Sequence, residues 1–151
     1  MNVYEATQRR LDTLFSEFDN IYVSFSGGKD SGILLNLCID YIREKGLNRK
    51  IGVFHIDYEA QYQMTTDHVL ETMQKNLDII EPYHICLPLR AHCATSMYQS
   101  HWVPWEKAKR DIWVRQLPEH CIHEDNNSFD FFKKVCGIMS FRRSFPAGIT
   151  I

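Results

Sequence analysis

The chain opens with apolar residues at Val3, Ala6, Leu11, Leu14, Phe15 and Phe18, with polar residues between them. That spacing predicts an amphipathic helix over residues 1–18. Asp19-Asn20 is a turn signal, and the β-branched and aromatic run Ile21-Tyr22-Val23-Ser24-Phe25 reads as a strand that ends just before two glycines. From Gly32 to Lys45 the apolar positions Ile33, Leu34, Leu37, Cys38, Tyr41 and Ile42 fall three and four apart, and Gly46 stands where a left-handed cap closes a helix. The following run, Ile51-Gly-Val-Phe-His-Ile56, is almost unbroken apolar, the mark of a strand covered on both faces. A helix joining two such strands forms a right-handed crossover with the strands parallel.

A second helix is expected from about Met64 to Asp78, with Met64, His68, Val69, Met73 and Leu77 along one stripe. Pro82 then precedes a third strand, Tyr83-His-Ile-Cys-Leu87. Strand, helix, strand, helix, strand is half of a doubly wound α/β fold. Beyond Pro88 the pattern turns loop-rich and aromatic, with Tyr98, Trp102, Trp105 and Trp113, and regains a helical period only over Glu106 to Arg115. Glu124 to Ser128 reads as an exposed polar loop, and Phe141-Arg-Arg-Ser-Phe-Pro146 has neither helix nor strand period.

Composition narrows the class. A length of 151 residues with 44% hydrophobic and 24% charged positions fits one soluble domain able to bury a core. The net charge of −2 supplies no global attraction for nucleic acid, and the local cluster Lys107, Lys109 and Arg110 reads as a solvated face. No apolar run approaches bilayer length, and the start lacks the order of a secretory signal, so a cytoplasmic location is expected. The five cysteines are odd in number and form no C-x-x-C pair, which argues against a disulfide framework. His84, His92, His101, His120 and His123 lack the paired spacing of zinc ligands, and no structural metal is expected.

Chemistry concentrates in Ser26-Gly27-Gly28-Lys29-Asp30-Ser31, between the first strand and the second helix. Unpaired amides of a helix's first turn point outward there and the helix dipole adds positive potential, so the position favours an anion. Adjacent glycines let the backbone turn and approach phosphate oxygens, Lys29 brings a full charge, and the hydroxyls of Ser26 and Ser31 offer further donors. Asp30 would repel a bare phosphate, which suggests a Mg²⁺ ion or a neighbouring donor that it orients. The bland alternative is a strand-to-helix turn with glycines for geometry alone. It leaves the adjacent lysine and aspartate unexplained. The loop matches neither G-x-x-x-x-G-K-[ST] nor G-x-G-x-x-G.

S-G-G-K-D-S directly after an apolar strand resembles the PP-loop of the adenine-nucleotide α-hydrolase superfamily, which includes N-type ATP pyrophosphatases and phosphoadenosine phosphosulfate (PAPS) reductases. The likeness is closest to a bacterial PAPS-reductase-like branch, some of whose members are described as immunoglobulin-binding regulators. It extends through Phe54-His-Ile-Asp-Tyr-Glu-Ala-Gln61, His101-Trp-Val-Pro-Trp-Glu106 and Trp113-Val-Arg-Gln116 with Pro118. The resemblance implies a Rossmann-like parallel sheet with flanking helices in residues 1–120, a PP-loop nucleotide-binding α/β domain. Ser26, Gly27, Gly28, Lys29, Asp30 and Ser31 would hold the pyrophosphate of ATP or the phosphosulfate of PAPS, with Lys29 and Asp30 as the catalytic pair and Asp30 as metal ligand only if Mg-ATP is bound. His55, Ile56 and Asp57 would lie beside the adenosine and read the adenine edge through backbone groups, although Asp57 also suits a helix or turn cap. Arg115 would meet a second anionic group or form a surface salt bridge. Trp102, Trp105 and Trp113 read as packing residues.

Two departures qualify that resemblance. PAPS reductases carry a nucleophilic cysteine in a C-terminal Glu-Cys-Gly-(Ile/Leu)-His segment, whereas Val135-Cys136-Gly-Ile-Met139 keeps only the central three residues, with Lys133, Lys134, Arg142 and Arg143 as neighbouring charges. Residues 121–151 read as a divergent tail, as though the chain were truncated or frameshifted. In the family order 3-2-1-4-5 that would leave the first strand as an exposed edge unless the tail or another chain covers it, with self-association and weak nucleotide binding as consequences. The resemblance therefore implies a PAPS reductase-like transferase or oxidoreductase, or an ATP pyrophosphatase. The alternative is a non-catalytic nucleotide-binding regulator acting with a partner protein.

Overall fold

The computed structural model describes residues 2–134, 136–138, 140, 141, 149 and 150. Most of the aperiodic stretch Phe141 to Pro146, with Arg142 and Arg143, lies outside the described residues. The elements are α1 (Val3–Glu17), β1 (Ile21–Ser24), α2 (Lys29–Lys45), β2 (Ile51–Ile56), α3 (Gln63–Lys75), β3 (Ile80–Cys86), β4 (Ala91–His92), β5 (His101–Trp102), a 3-10 helix (Lys107–Ile112), β6 (Ile122–His123) and β7 (Ile149–Thr150). One sheet has the order β6-β3-β2-β1-β7, and β4 with β5 forms a separate antiparallel pair. Parallel pairing of β1 with β2 sets Tyr22 opposite Gly52 and Ser24 opposite Phe54. This is the expected α/β fold with helices alternating between parallel strands. Among the described residues no helix is long and apolar enough to cross a membrane.

The chain divides into two compact units. The first comprises Met1–His55, Gln63–Tyr83 and Ala147–Ile151, and the second Ile56–Tyr62 and His84–Pro146. In the first unit, Leu11 and Phe15 of α1, Val23 of β1, Leu35, Cys38 and Ile39 of α2, Val53 of β2, and Val69 and Met73 of α3 share one buried core. α1 is closed at both ends. Asn2 and Glu5 form a reciprocal capping box, and Arg49 donates to the carbonyls of Phe15, Phe18 and Asp19 at 3.1, 2.8 and 2.6 Å. Tyr41 stacks on Phe15 with ring centroids 4.8 Å apart and donates to Asp12 at 2.8 Å, which ties α2 to α1. In the second unit Cys86, Trp105 and Cys121 are buried together, with Trp113 and Leu117 against them.

Several boundaries differ from the sequence expectation. α2 begins at Lys29 rather than Gly32, because Gly28 already serves as its N-cap and Asp30 suits the positive end of the dipole. β3 begins at Ile80 and contains Pro82. Its pairing with β6 involves Ile85 and Cys86, so at Pro82 it is an edge strand, where proline is tolerated. The expected helix over Glu106 to Arg115 is a short 3-10 turn with non-helical angles at Lys109, and none of its residues is buried to hold α-helical packing. At the β1 edge the covering alternative holds. β7 pairs with it in parallel, Ile21 opposite Ile149 and Tyr22 opposite Thr150, so the tail covers the start of that edge.

Gly52 sits in fully buried β2, and a Cβ there would meet Tyr22 Cδ1 at 2.1 Å. Gly52→Ala is expected to cost about 1–3 kcal/mol through overpacking, read as a lower urea midpoint at unchanged slope.

Candidate functional site: the glycine turn and the end of β2

The loop after β1 is shaped by close packing on one side. Gly27 has φ of +81°, and a Cβ at that position would lie 2.8 Å from Val69 Cγ2 and 2.9 Å from Thr65 Cγ2 of α3. Only glycine meets both demands. The opposite side is open, with Ser26, Gly28, Lys29 and Asp30 exposed. The loop also bonds to itself: Ser31 Oγ donates to Gly28 O at 3.1 Å and lies 3.0 Å from Ser26 Oγ, Ser26 N donates to Ser31 Oγ at 3.2 Å, and Gly28 N donates to Ser26 Oγ at 3.3 Å. The serine hydroxyls, expected as anion donors, are thus engaged inside the turn and hold its shape. Among the described residues the amides of Gly27, Lys29, Asp30 and Ser31 have no acceptor, and the side chains of Lys29 and Asp30 have no partner. Four main-chain donors without acceptors, and one exposed lysine, therefore stand at the start of a 17-residue helix.

The polar groups at the end of β2 are engaged within the fold. His55 Nδ1 donates to Phe25 O at 2.8 Å within the first unit. Asp57, in the second unit, is fully buried and all of its polar groups are engaged. Its amide donates to Ile85 O at 2.9 Å and its carbonyl accepts Trp105 Nε1 at 2.9 Å. One carboxylate oxygen accepts His84 Nε2 at 2.8 Å. The other accepts Glu59 N at 2.8 Å and the Arg115 guanidinium. The amide and carbonyl of Asp57 are thus both hydrogen-bonded within the fold, and one of its carboxylate oxygens caps the turn at Glu59. Burial alone would raise its pKa, but the bonds from His84, Arg115 and the Glu59 amide outweigh that and hold the carboxyl well below the ordinary value of 3.8.

Arg115 is likewise turned inward. Besides Asp57 it donates from Nε to Glu59 O at 2.9 Å, and its guanidinium lies 5.0 Å from the Trp105 ring centre. Its ion pair is with the chain's own Asp57 and is buried, where the sequence offered a second anionic group or a surface salt bridge. Glu59, which sequence reasoning quoted but gave no role, completes the network. Its φ is +66°, an uncommon conformation for a residue with a side chain, and its carboxylate accepts Trp105 N at 2.8 Å and Val114 N at 3.0 Å. A second acidic residue two positions beyond Asp57 was the only signal in the sequence. Trp105 and Trp113 meet edge to face at 5.2 Å, in keeping with a packing role. Cys136 is half-buried, its amide bonded to Lys133 O at 2.9 Å and its carbonyl accepting Arg90 N at 2.9 Å.

The phosphoadenosine phosphosulfate reductase domain matches residues 20–135. The chain is 36% identical over 147 residues to the uncharacterized protein YbdN of Escherichia coli (strain K12), an alignment that takes in 96% of this chain and 35% of that protein. The chain thus spans about a third of the length of the relative it matches. No solved structure matches it.

Asp57 has a lowered folded-state pKa, so its contribution is present above the ordinary value of 3.8 and is lost as pH falls through that value toward the folded one. Asp57→Asn leaves Arg115 without its counter-charge and is expected to cost about 3–5 kcal/mol at neutral pH. Denaturant melts from pH 7 downward should show a shallower acid loss in the variant than in the parent. Parallel pH curves would contradict the assignment.

Proposed function

The chain belongs to the phosphoadenosine phosphosulfate reductase domain family, and on that premise we propose that Ser26 to Ser31 grips the anionic group of an adenine nucleotide. The group is the pyrophosphate of ATP or the phosphosulfate of PAPS. One observation carries the reading: the acceptor-free amides of Gly27, Lys29, Asp30 and Ser31 converge at the N-terminus of α2 beside the exposed Lys29 ammonium. Ser26 and Ser31 act by holding the turn in the shape that aims those amides. Amides fixed before a ligand arrives need no reorganisation when negative charge develops, which is the electrostatic contribution such a loop makes to phosphoryl or sulfonyl chemistry.

Asp30 distinguishes the two nucleotides. Its exposed, unpartnered carboxylate fits a hydrated Mg²⁺ carried by ATP, and the metal would neutralise charge on the pyrophosphate. Without a metal the same carboxylate opposes a phosphosulfate. A nucleotide-binding regulator without turnover is the second reading. It is favoured by the segment around Cys136, which keeps Cys-Gly-Ile but lacks the acidic residue and histidine that flank the nucleophile in sulfonate-transferring relatives.

Calorimetry with ATP, PAPS and adenosine 3′,5′-bisphosphate, each with and without Mg²⁺, tests the assignment. Lys29→Ala should weaken binding at least about tenfold, the loss expected for one charge-assisted contact. Asp30→Ala should remove the magnesium dependence of ATP binding, or tighten PAPS binding if PAPS is the ligand. Affinities unchanged in both variants would sink the loop assignment.

A further inference from the structure

The short antiparallel pair in the second unit sets two histidines face to face. β4 and β5 have two residues each, and their register places Ala91 opposite Trp102 and His92 opposite His101. One step further along the ladder, Cys93 N donates to Ser100 O at 3.1 Å. Hydrogen-bonded and non-hydrogen-bonded pairs alternate along antiparallel strands, so His92 and His101 form a non-hydrogen-bonded pair, the kind in which facing side chains approach most closely. Directly opposed Cβ atoms stand about 4.5–5.5 Å apart, a separation that two imidazoles can close on one ion held about 2.0–2.1 Å from each nitrogen.

Both rings are exposed, and both line one open cavity of about 500 Å³. Ser100 Oγ lies 3.1 Å from His101 Nδ1, which engages that nitrogen and leaves Nε2 as the ligating atom. Among the described lining residues Arg90 alone carries a fixed charge. It opposes a dication, so the site suits a metal with a strong preference for imidazole and not an oxygen-seeking ion. The hairpin also lacks other support of its own kind: two strands of two residues, separate from the five-stranded sheet, are marginal on their main-chain bonds. Spacing along the chain gave no sign of this pair, because its proximity belongs to the ladder and not to one helix or loop.

We propose that His92 and His101 together bind a divalent transition metal of the Zn²⁺ or Ni²⁺ class, with water in the remaining positions, and that the ion clamps β4 to β5. The site does not depend on nucleotide at the glycine turn.

The test uses the intact chain, treated with EDTA and dialysed, with Zn²⁺ and Ni²⁺ as probes in calorimetry and hydrogen exchange read at the Cys93 amide. Both ions should bind, and excess Mg²⁺ should not compete. His92→Ala and His101→Ala, at exposed positions, should each weaken binding at least about tenfold, and the double variant should be little weaker than either, because the two rings hold one ion. Cys93→Ser should leave the affinity unchanged, since successive side chains point to opposite faces of a strand. Bound Zn²⁺ should slow exchange of the Cys93 amide at least about threefold in the parent and not in the histidine variants. The proposal is overturned if neither ion binds the parent through the millimolar range, if either histidine variant keeps the parent's affinity, if Cys93→Ser abolishes binding, or if bound Zn²⁺ leaves exchange at Cys93 unchanged.

Discussion

The passage from β1 into α2 leaves no space for a side chain at residue 27. Val69 and Thr65 of α3 occupy the place where a Cβ would project, and the backbone there has a positive φ. Glycine satisfies both demands, and the sharp turn that results brings α2 to its start at Lys29 with its first amides unbonded. Packing behind the turn and donors in front of it thus have one cause. The serine hydroxyls reinforce that geometry from within, so the unbonded donors of the loop are main-chain amides more than serine hydroxyls.

The second unit is organised by a different constraint, the need to satisfy two buried carboxylates on one short segment. Asp57 and Glu59 lie two residues apart after β2, and between them they accept bonds from His84, the Arg115 guanidinium and the main chain at Trp105 and Val114. Residues distant in sequence are thereby drawn to one place without regular secondary structure. The positive φ at Glu59 is an outlier costing about 1–3 kcal/mol, and the bonds from Trp105 and Val114 offset it. The 3-10 turn beside this network has no buried residue of its own, so its shape follows from contacts at its flanks.

Periodicity determined the first half of the fold. β2 has the boundaries read from the sequence, and α1 and α2 differ by a few residues at their ends, because burial on a two-layer sheet imposes the repeats that the sequence displays. The glycine turn was legible for a similar reason: its residue types, strand before and helix after are all local facts. Other features were not local. Arg115 read as an anion contact or a surface salt bridge, and the buried carboxylate it meets, Asp57, was not legible as its partner. Glu59 gave no sign that its carboxylate would accept main-chain amides about fifty residues away, and nothing in Ile149-Thr150 announced pairing with β1. The sequence alone therefore determined the order of strands and helices and the position of the glycine turn at the head of α2, since those depend on near neighbours along the chain. Tertiary structure decided which charged groups are consumed by the fold and which stay exposed, because a buried charge takes whatever partner the packing brings within reach, regardless of distance in sequence.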